Sequence, residues 1–204
     1  FTKDYDSQKQ LKTHFKNFTN GVESELVAYS PVYSGGYIYF VVDCNLKTFS
    51  MNYENPSVVY ASQSALVKLN VSNGKMYYTA INNSLLHPTV AVYNGNPYLV
   101  GGYDTSTNSL SKTMYKYSSG KWTKLCSLPS ARAYGKCVQV GTRLVYTMGT
   151  DGSENVPKNL IYNGKSWTES KASIKTLAKN TVEIADQKFT SYECSVDLIS
   201  GGLL

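Results

Sequence analysis

Residues 92–132 read VYNGNPYLVGGYDTSTNSLSKTMYKYSSGKWTKLCSLPSAR and contain the clearest structural unit of the chain. Short runs of apolar and aromatic residues alternate here with turn residues, at Asn94-Gly95, Gly101-Gly102 and Ser119-Gly120. Asn and Gly tolerate the positive φ angles that tight hairpin turns require. The stretch therefore predicts four short β-strands, paired as two hairpins.

The turns of this unit recur along the chain. A Gly-Lys pair followed by an aromatic residue begins at Gly74, Gly120 and Gly164, which are separated by 46 and 44 residues. A second turn lies about halfway between these, and its glycines Gly95 and Gly141 are again 46 residues apart. Four short strands in each repeat of about 45 residues is the pattern of a β-propeller blade. We therefore expect an all-β fold, because helical periodicity of useful length is nearly absent.

The unit at 92–132 resembles a kelch repeat. It has the double glycine Gly101-Gly102 at the end of its second strand, an aromatic residue at the end of its third strand, and Trp122 after that. The next unit keeps Tyr162 and Trp167 at the same spacing, whereas the first unit has Val42-Asp43 in place of the double glycine. The resemblance implies a kelch-like β-propeller segment of about four four-stranded blades.

The repeat also suggests how the chain is divided. Blades are predicted at about 27–80, 89–126 and 135–170, with half-blades at 1–15 and 180–204. For residues 1–15 a short amphipathic helix is the alternative, because Leu11, Phe15 and Phe18 share one helical face. An open blade leaves unpaired strand edges. We therefore expect part of a larger propeller, which a second chain, another copy or a further segment completes.

Composition argues against several classes of protein. Hydrophobic residues make up 42% and charged residues 17% of the chain, which is not the composition of a disordered protein. The longest apolar run, residues 37–42, is far shorter than the roughly 20 residues that span a bilayer. The net charge is +6, but only Arg132 and Arg143 are arginines and the lysines are dispersed. Nucleic-acid sites cluster their basic residues, so no nucleic-acid partner is expected.

The cysteines and histidines predict neither a metal nor a cofactor. No C-x-x-C pair is present, so zinc or thioredoxin chemistry has no basis in the sequence. Cys126 and Cys137 are close enough in sequence to form a bridge, although buried free thiols are the preferred interpretation. His14 and His87 lie on dissimilar repeats without metal-ligand spacing. We expect a structural or surface role for each histidine.

Four acidic residues provide the one indication of an enzyme. They lie near the ends of the second strands and could converge on one face, as the carboxylates of a glycosidase do. In that case they would share a pocket and have raised pKa values. The alternative is that they form ordinary turns at loop starts. The residues are Asp43, Asp104, Asp151 and Glu193.

Binding by rim loops is the favoured function. The loops at 43–63, 103–111 and 150–157 are rich in Asn, Ser, Thr, Asp and Tyr, which suit adaptable recognition. The candidate ligand-binding residues are Arg132, Tyr134, Tyr103, Asp104, Asp151 and Asn155. The kelch resemblance implies that an Arg in the position of Arg132 can face a ligand; hydrogen bonds to neighbouring carbonyls are the alternative. For Tyr134 and Tyr103 the alternative is core packing.

Together these features predict a non-enzymatic module that recognises a protein or a glycan. A carbohydrate-active enzyme and an intracellular kelch adaptor are the competing classes. The composition is similar to that of kelch modules in secreted and surface proteins of bacteria. We therefore expect an extracellular or cell-surface location, or a cytoplasmic one if the chain is an adaptor.

Overall fold

A computed structural model describes residues 7–20, 24–50, 57–82, 84–153, 158–173, 178–184 and 187–193, with side chains in 9–20, 24–46, 62–82, 84–153 and 158–170. Helix α1 spans Ser7–Thr19. The strands are, in chain order, β1 (Ser24–Ser34), β2 (Tyr37–Ser50), β3 (Ser57–Asn70), β4 (Met76–Ala80), β5 (Leu85–Leu86), β6 (Thr89–Tyr93), β7 (Asn96–Val100), β8 (Tyr103–Asp104), β9 (Ser109–Leu110), β10 (Thr113–Ser118), β11 (Lys121–Ser127), β12 (Lys136–Val140), β13 (Arg143–Thr147), β14 (Lys158–Tyr162), β15 (Trp167–Ser173), β16 (Ala178–Ile184) and β17 (Gln187–Glu193).

The described strands form three antiparallel four-stranded sheets that follow one another along the chain. The first sheet has the order β1-β2-β3-β4, the second β6-β7-β10-β11 and the third β12-β13-β14-β15. A two-stranded sheet, β16-β17, comes next, and the small sheet β5-β8-β9 lies in the connections of the second sheet. The first strands β1, β6 and β12 lie side by side. This arrangement of consecutive sheets is propeller-like, and the prediction of an all-β fold is confirmed.

Apolar side chains fill the spaces between neighbouring sheets. One core, containing Val41, Leu66, Val90 and Leu99, joins the first and second sheets. Another, containing Val100, Met114, Leu144, Leu160 and Tyr162, joins the second and third. The tryptophans of the repeat tie each sheet to the one before it. The indole nitrogen of Trp122 donates to the Ala80 carbonyl at 2.8 Å, and that of Trp167 to the Met114 sulfur at 3.2 Å.

The prediction of a long loop at 43–63 is wrong. Strands β2 and β3 stay paired from Tyr37 opposite Asn70 to Ser50 opposite Ser57, so they form one long hairpin. Strand β1 pairs with β2 only as far as Leu46. Thr48 and Phe49 in β2, and Val58, Val59 and Tyr60 in β3, favour extended backbone beyond the last residue that pairs with β1. The end of this hairpin is therefore a two-stranded arm.

The predicted half-blade at 1–15 is also wrong where the structure describes it. Residues 7–19 form helix α1, the alternative that the sequence had left open. Phe15 is 1% exposed and packs with Leu11 and Phe18 on Val42, Ala65 and Val67 of the first sheet. This sheet face needs an apolar cover because a solvated one would forfeit the burial that stabilises it. The helix provides that cover. Residues 1–6 and 194–204 of the two predicted half-blades lie outside the described residues.

Polar contacts of α1 complete its docking on the first sheet. The Gln10 amide donates to the Gly74 carbonyl and accepts from the Met76 N–H, each at 3.1 Å. The His14 ring stacks on Tyr78 at 4.0 Å between centroids. In the first unit Tyr78 stands in place of the tryptophan that contacts the preceding sheet in the later units. Helix α1 therefore occupies the position that a preceding sheet would have.

Candidate functional site

The loops that precede β6 and β12 each contain a non-glycine residue with a positive φ angle, and both loops lie at the same rim of the sheets. His87 lies just before β6 and has φ +49°, and Tyr134 lies just before β12 and has φ +61°. Ser30, in the irregular part of β1, has φ +55°, and its hydroxyl accepts a hydrogen bond from Val90 N at 2.8 Å. Left-handed backbone at non-glycine residues is strained and is concentrated at functional sites. The rim near β1, β6 and β12 is therefore a candidate functional site.

A buried carboxylate lies beneath this rim. Asp43 is 3% exposed, and its Oδ1 accepts hydrogen bonds from the Ser64 hydroxyl at 2.6 Å and the Tyr29 hydroxyl at 3.1 Å. Strand register explains the first contact, because Ser64 is directly opposite Asp43 in β3. Burying a carboxylate is costly unless donors replace its water. The two hydroxyls supply that replacement on one of its oxygens.

His87 connects the carboxylate to the surface. Its Nδ1 lies 4.0 Å from Asp43 Oδ2, and its backbone N–H donates to the Tyr29 hydroxyl at 3.2 Å. The Tyr29 hydroxyl thus accepts from His87 while it donates to Asp43. Burial, reinforced by the Asp43 charge, raises the pKa of Tyr29 well above its usual value. Tyr29 therefore stays a neutral donor in this arrangement.

Tyr134 forms the outer surface of the group. It is 64% exposed, and its ring stacks on the His87 ring with centroids 4.9 Å apart and an angle of 29°. One ring face is thus supported while much of the residue remains open to solvent. The core-packing alternative for Tyr134 is wrong. We call Tyr29, Asp43, His87 and Tyr134 the rim cluster.

Arg132 lies elsewhere, inside the protein. It is 0% exposed, and its Nη1 donates to the carbonyls of Lys158 and, at 3.4 Å, Met148. Burial lowers the pKa of Arg132. These bonds to strand-end carbonyls of the third sheet match the structural alternative given for this residue. A ligand contact by Arg132 stays a prediction, and the side chain is not part of the rim cluster.

The acidic candidates in the second and third units form matching turns. Asp104 Oδ1 accepts from the backbone N–H and hydroxyl of Ser106, at 2.9 and 2.5 Å. Asp151 Oδ1 accepts from the same groups of Ser153, at 3.0 and 2.8 Å. The Ser106 hydroxyl and nearby backbone N–H groups lower the pKa of Asp104. The raised pKa expected of Asp104 in an enzyme is therefore wrong.

The remaining candidates are not members of the rim cluster, although Tyr103 in β8 lies opposite Leu86, the residue before His87. Tyr103 is half-buried, and its hydroxyl donates to the Asn108 side chain within its own loop. Asn155 lies outside the described residues, as does the side chain of Glu193. Asp104 and Asp151 thus match the alternative of ordinary turns at loop starts. The convergence of all four carboxylates on one face stays a prediction.

Sequence reasoning placed Tyr134 at the site but missed His87 as its partner. The available signal was Asp43, a charged residue within an otherwise apolar strand and at the position of the glycine pair in the next unit. A carboxylate buried in a strand needs nearby donors. Nothing local in the sequence shows that the partner is 44 residues away.

Within the part of the chain described here, no group of three His, Cys, Asp or Glu residues is arranged to hold a metal ion. No described helix is long and apolar enough to span a bilayer. Cys44, Cys126 and Cys137 are free thiols, so the possible Cys126–Cys137 bridge is not formed.

Comparison with known proteins supports the fold and nothing finer. No protein-family model and no curated protein matches the sequence. Among solved structures, that of YjhT is similar, with a TM-score of 0.52 and 11% sequence identity. The similarity covers 78% of this chain and 56% of that one, so the chain spans about half the length of YjhT. The kelch resemblance and the expected cell-surface location stay predictions.

Proposed function

We propose that the chain is a non-enzymatic recognition module that binds a protein or glycan ligand at the rim cluster. The observation that carries the proposal is Tyr134, which is 64% exposed yet stacked on His87. Loops held by a rigid sheet scaffold commonly carry binding residues. Tyr adds a large contact surface with only two rotatable torsions, so ordering it costs little entropy.

The support beneath Tyr134 favours binding over an incidental surface position. The His87 backbone is held by its hydrogen bond to Tyr29, and the His87 ring lies 4.0 Å from the Asp43 carboxylate, so the stacked pair rests on buried groups. Pre-organised side chains lose less freedom when a ligand binds. The exposed ring is therefore ready to contact a ligand without rearrangement.

The arrangement does not favour glycoside hydrolysis. That reaction needs two facing carboxyl groups roughly 5–10 Å apart. Asp104 and Asp151 each accept hydrogen bonds within their own turns, and the rim cluster itself contains one carboxylate, that of Asp43. Recognition requires no such pair, so it is the simpler use of this surface.

The test is a glycan array and a peptide array probed with the wild type, Tyr134→Ala and Tyr33→Ala. Tyr33 is the matched control because it is 70% exposed but lies beside the β1–β2 turn, four residues beyond Tyr29. Truncating a central aromatic contact costs about 2 kcal/mol or more, so we expect Tyr134→Ala to bind at least about 30-fold more weakly. Tyr33→Ala should bind like the wild type.

Circular dichroism and urea unfolding show whether each variant is folded. Equal binding by Tyr134→Ala and wild type would place the ligand elsewhere. Absence of binding to both arrays by the folded wild type would contradict the recognition proposal itself.

A further inference from the structure

The rim cluster also has a chemistry that indicates its ligand. Resting on the proposed function, we infer that the cluster binds a neutral sugar ring, and that Asp43 is a positioning residue that makes His87 Nε2 a hydrogen-bond acceptor. Tyr134 would stack on the C–H face of the sugar while a sugar hydroxyl donates to Nε2.

The two oxygens of Asp43 have different surroundings. Oδ1 accepts from the hydroxyls of Ser64 and Tyr29, at 2.6 and 3.1 Å. Oδ2 faces His87 Nδ1 at 4.0 Å, beyond a direct hydrogen bond but close enough for its negative charge to orient the polar ring. A negative oxygen favours a proton on the nearer ring nitrogen. A neutral His87 then has Nδ1–H toward Asp43 and a free lone pair on Nε2.

Access to the cluster determines what the ligand meets. The Asp43 side chain is 4% exposed and that of His87 is 36% exposed, so a ligand reaches the imidazole and the Tyr134 ring but hardly the carboxylate. A lysine or arginine side chain would need the carboxylate itself, and the net charge of +6 repels cations. An anion would meet the field of Asp43 without an Arg or Lys in the cluster.

What remains is an uncharged group with hydroxyl donors and an apolar face. A sugar ring has both, because its hydroxyls project from the rim of the ring and its C–H bonds from the faces. Exposed Tyr rings suit partners that are partly apolar and partly polar. The acceptor at Nε2 adds direction to this contact, since it requires a donor from the ligand.

Asp43→Asn tests the positioning role. The Asn oxygen can still accept from Ser64 and Tyr29, but its NH₂ group then faces His87 Nδ1. Two N–H donors cannot face each other, so Nδ1 becomes the acceptor and the proton moves to Nε2. The variant therefore changes the ligand-facing Nε2 of His87 from an acceptor to a donor, while residue 43 keeps nearly the same side-chain shape.

Long-range ¹H–¹⁵N NMR of the ring nitrogens reads the tautomer directly. The chain has two histidines, and His14 on α1 serves as the internal control. We expect Nδ1–H for His87 in the wild type and Nε2–H in Asp43→Asn, with His14 unchanged. A wild-type His87 in the Nε2–H form would overturn the positioning role, and no ligand is needed for that result.

Binding is measured by NMR titration with the methyl glycosides of glucose, galactose, mannose and N-acetylglucosamine, and with tetralysine as the cationic probe. Loss of one directional hydrogen bond costs about 1.4 kcal/mol, so we expect roughly tenfold weaker sugar binding by Asp43→Asn. If Asp43→Asn fails to fold, His87→Asn replaces it. Asn tolerates a positive φ and its side chain is too short to reach the Nε2 position.

The outcomes separate the two proposals. Weaker sugar binding by Asp43→Asn, together with the change of His87 from the Nδ1–H to the Nε2–H form, supports the inference. Tetralysine binding in place of sugar binding overturns the sugar assignment but leaves recognition intact, and so does array binding to peptides alone. Sugar binding unchanged in either variant overturns the role of Asp43 and His87. No array binding of any kind contradicts the proposed function, whatever the tautomer.

Discussion

Replacing Gly101 by alanine should destabilise the protein more than its backbone angle alone explains. Gly101 has φ +65°, and its N–H donates to the Thr113 carbonyl at 2.9 Å. A methyl group at this position would overlap the carbonyl oxygen of Arg132, which belongs to the loop leading into the third sheet. The same carbonyl accepts from Gly102 N at 2.8 Å. The added methyl therefore pushes on a backbone contact between units.

The expected loss is the sum of two effects. Placing alanine in the left-handed region costs about 1–2 kcal/mol. Moving the Arg132 carbonyl away loses or weakens its hydrogen bond with Gly102, at about 1 kcal/mol, and disturbs packing at a similar cost. We expect a decrease of about 3–4 kcal/mol in the free energy of unfolding, out of a typical total of about 5–15 kcal/mol.

Gly141→Ala isolates the first effect. Gly141 has φ +56°, and an added methyl would meet nothing within 4 Å. Its free energy of unfolding should fall by only about 1–2 kcal/mol. Urea unfolding followed by tryptophan fluorescence and circular dichroism measures both variants. If Gly101→Ala is no less stable than Gly141→Ala, close packing at the glycine pair does not explain its presence.

Two further predictions concern the helix and the core. Phe15→Ala removes a side chain that is 1% exposed, and should lower the free energy of unfolding by about 3 kcal/mol; Asn17→Ala, on the exposed side of α1, should change it by less than about 0.5 kcal/mol. Equal effects in urea unfolding would show that α1 is not docked. Burial raises the pKa of Tyr146 to about 12, whereas an unfolded tyrosine ionises near pH 10. The folded state holds this proton more tightly, so stability is full below pH 10 and falls between about pH 10 and 12. Tyr146→Phe should weaken that decline. Urea midpoints at several pH values measure it, and the same decline in the wild type and in Tyr146→Phe would contradict the reasoning.

The rim cluster is a feature that sequence reasoning could reach only in part. Tyr134 was a candidate because it lies in a connection between repeats, and it is exposed as a binding residue must be. His87 was expected to have a structural or surface role, because no carboxylate lies near it in the chain. Its partner Asp43 lies in β2 of the first sheet, whereas His87 precedes β6 of the second. Only the packing of the first sheet against the second brings their side chains within 4.0 Å.

Most strands and turns of this protein, apart from the long pairing of β2 with β3, follow from its sequence because they depend on local preferences. Gly and Asn at regular intervals permit tight turns, and β-branched and aromatic residues between them favour extended backbone. Local preferences do not determine the secondary structure of residues 7–19, because their apolar positions fit either a strand or a helix. Tertiary structure decided in favour of the helix, because Val42, Ala65 and Val67 need a cover that Phe15 supplies. The same holds for the rim: local preferences build its loops, but the contacts between them depend on how whole sheets pack.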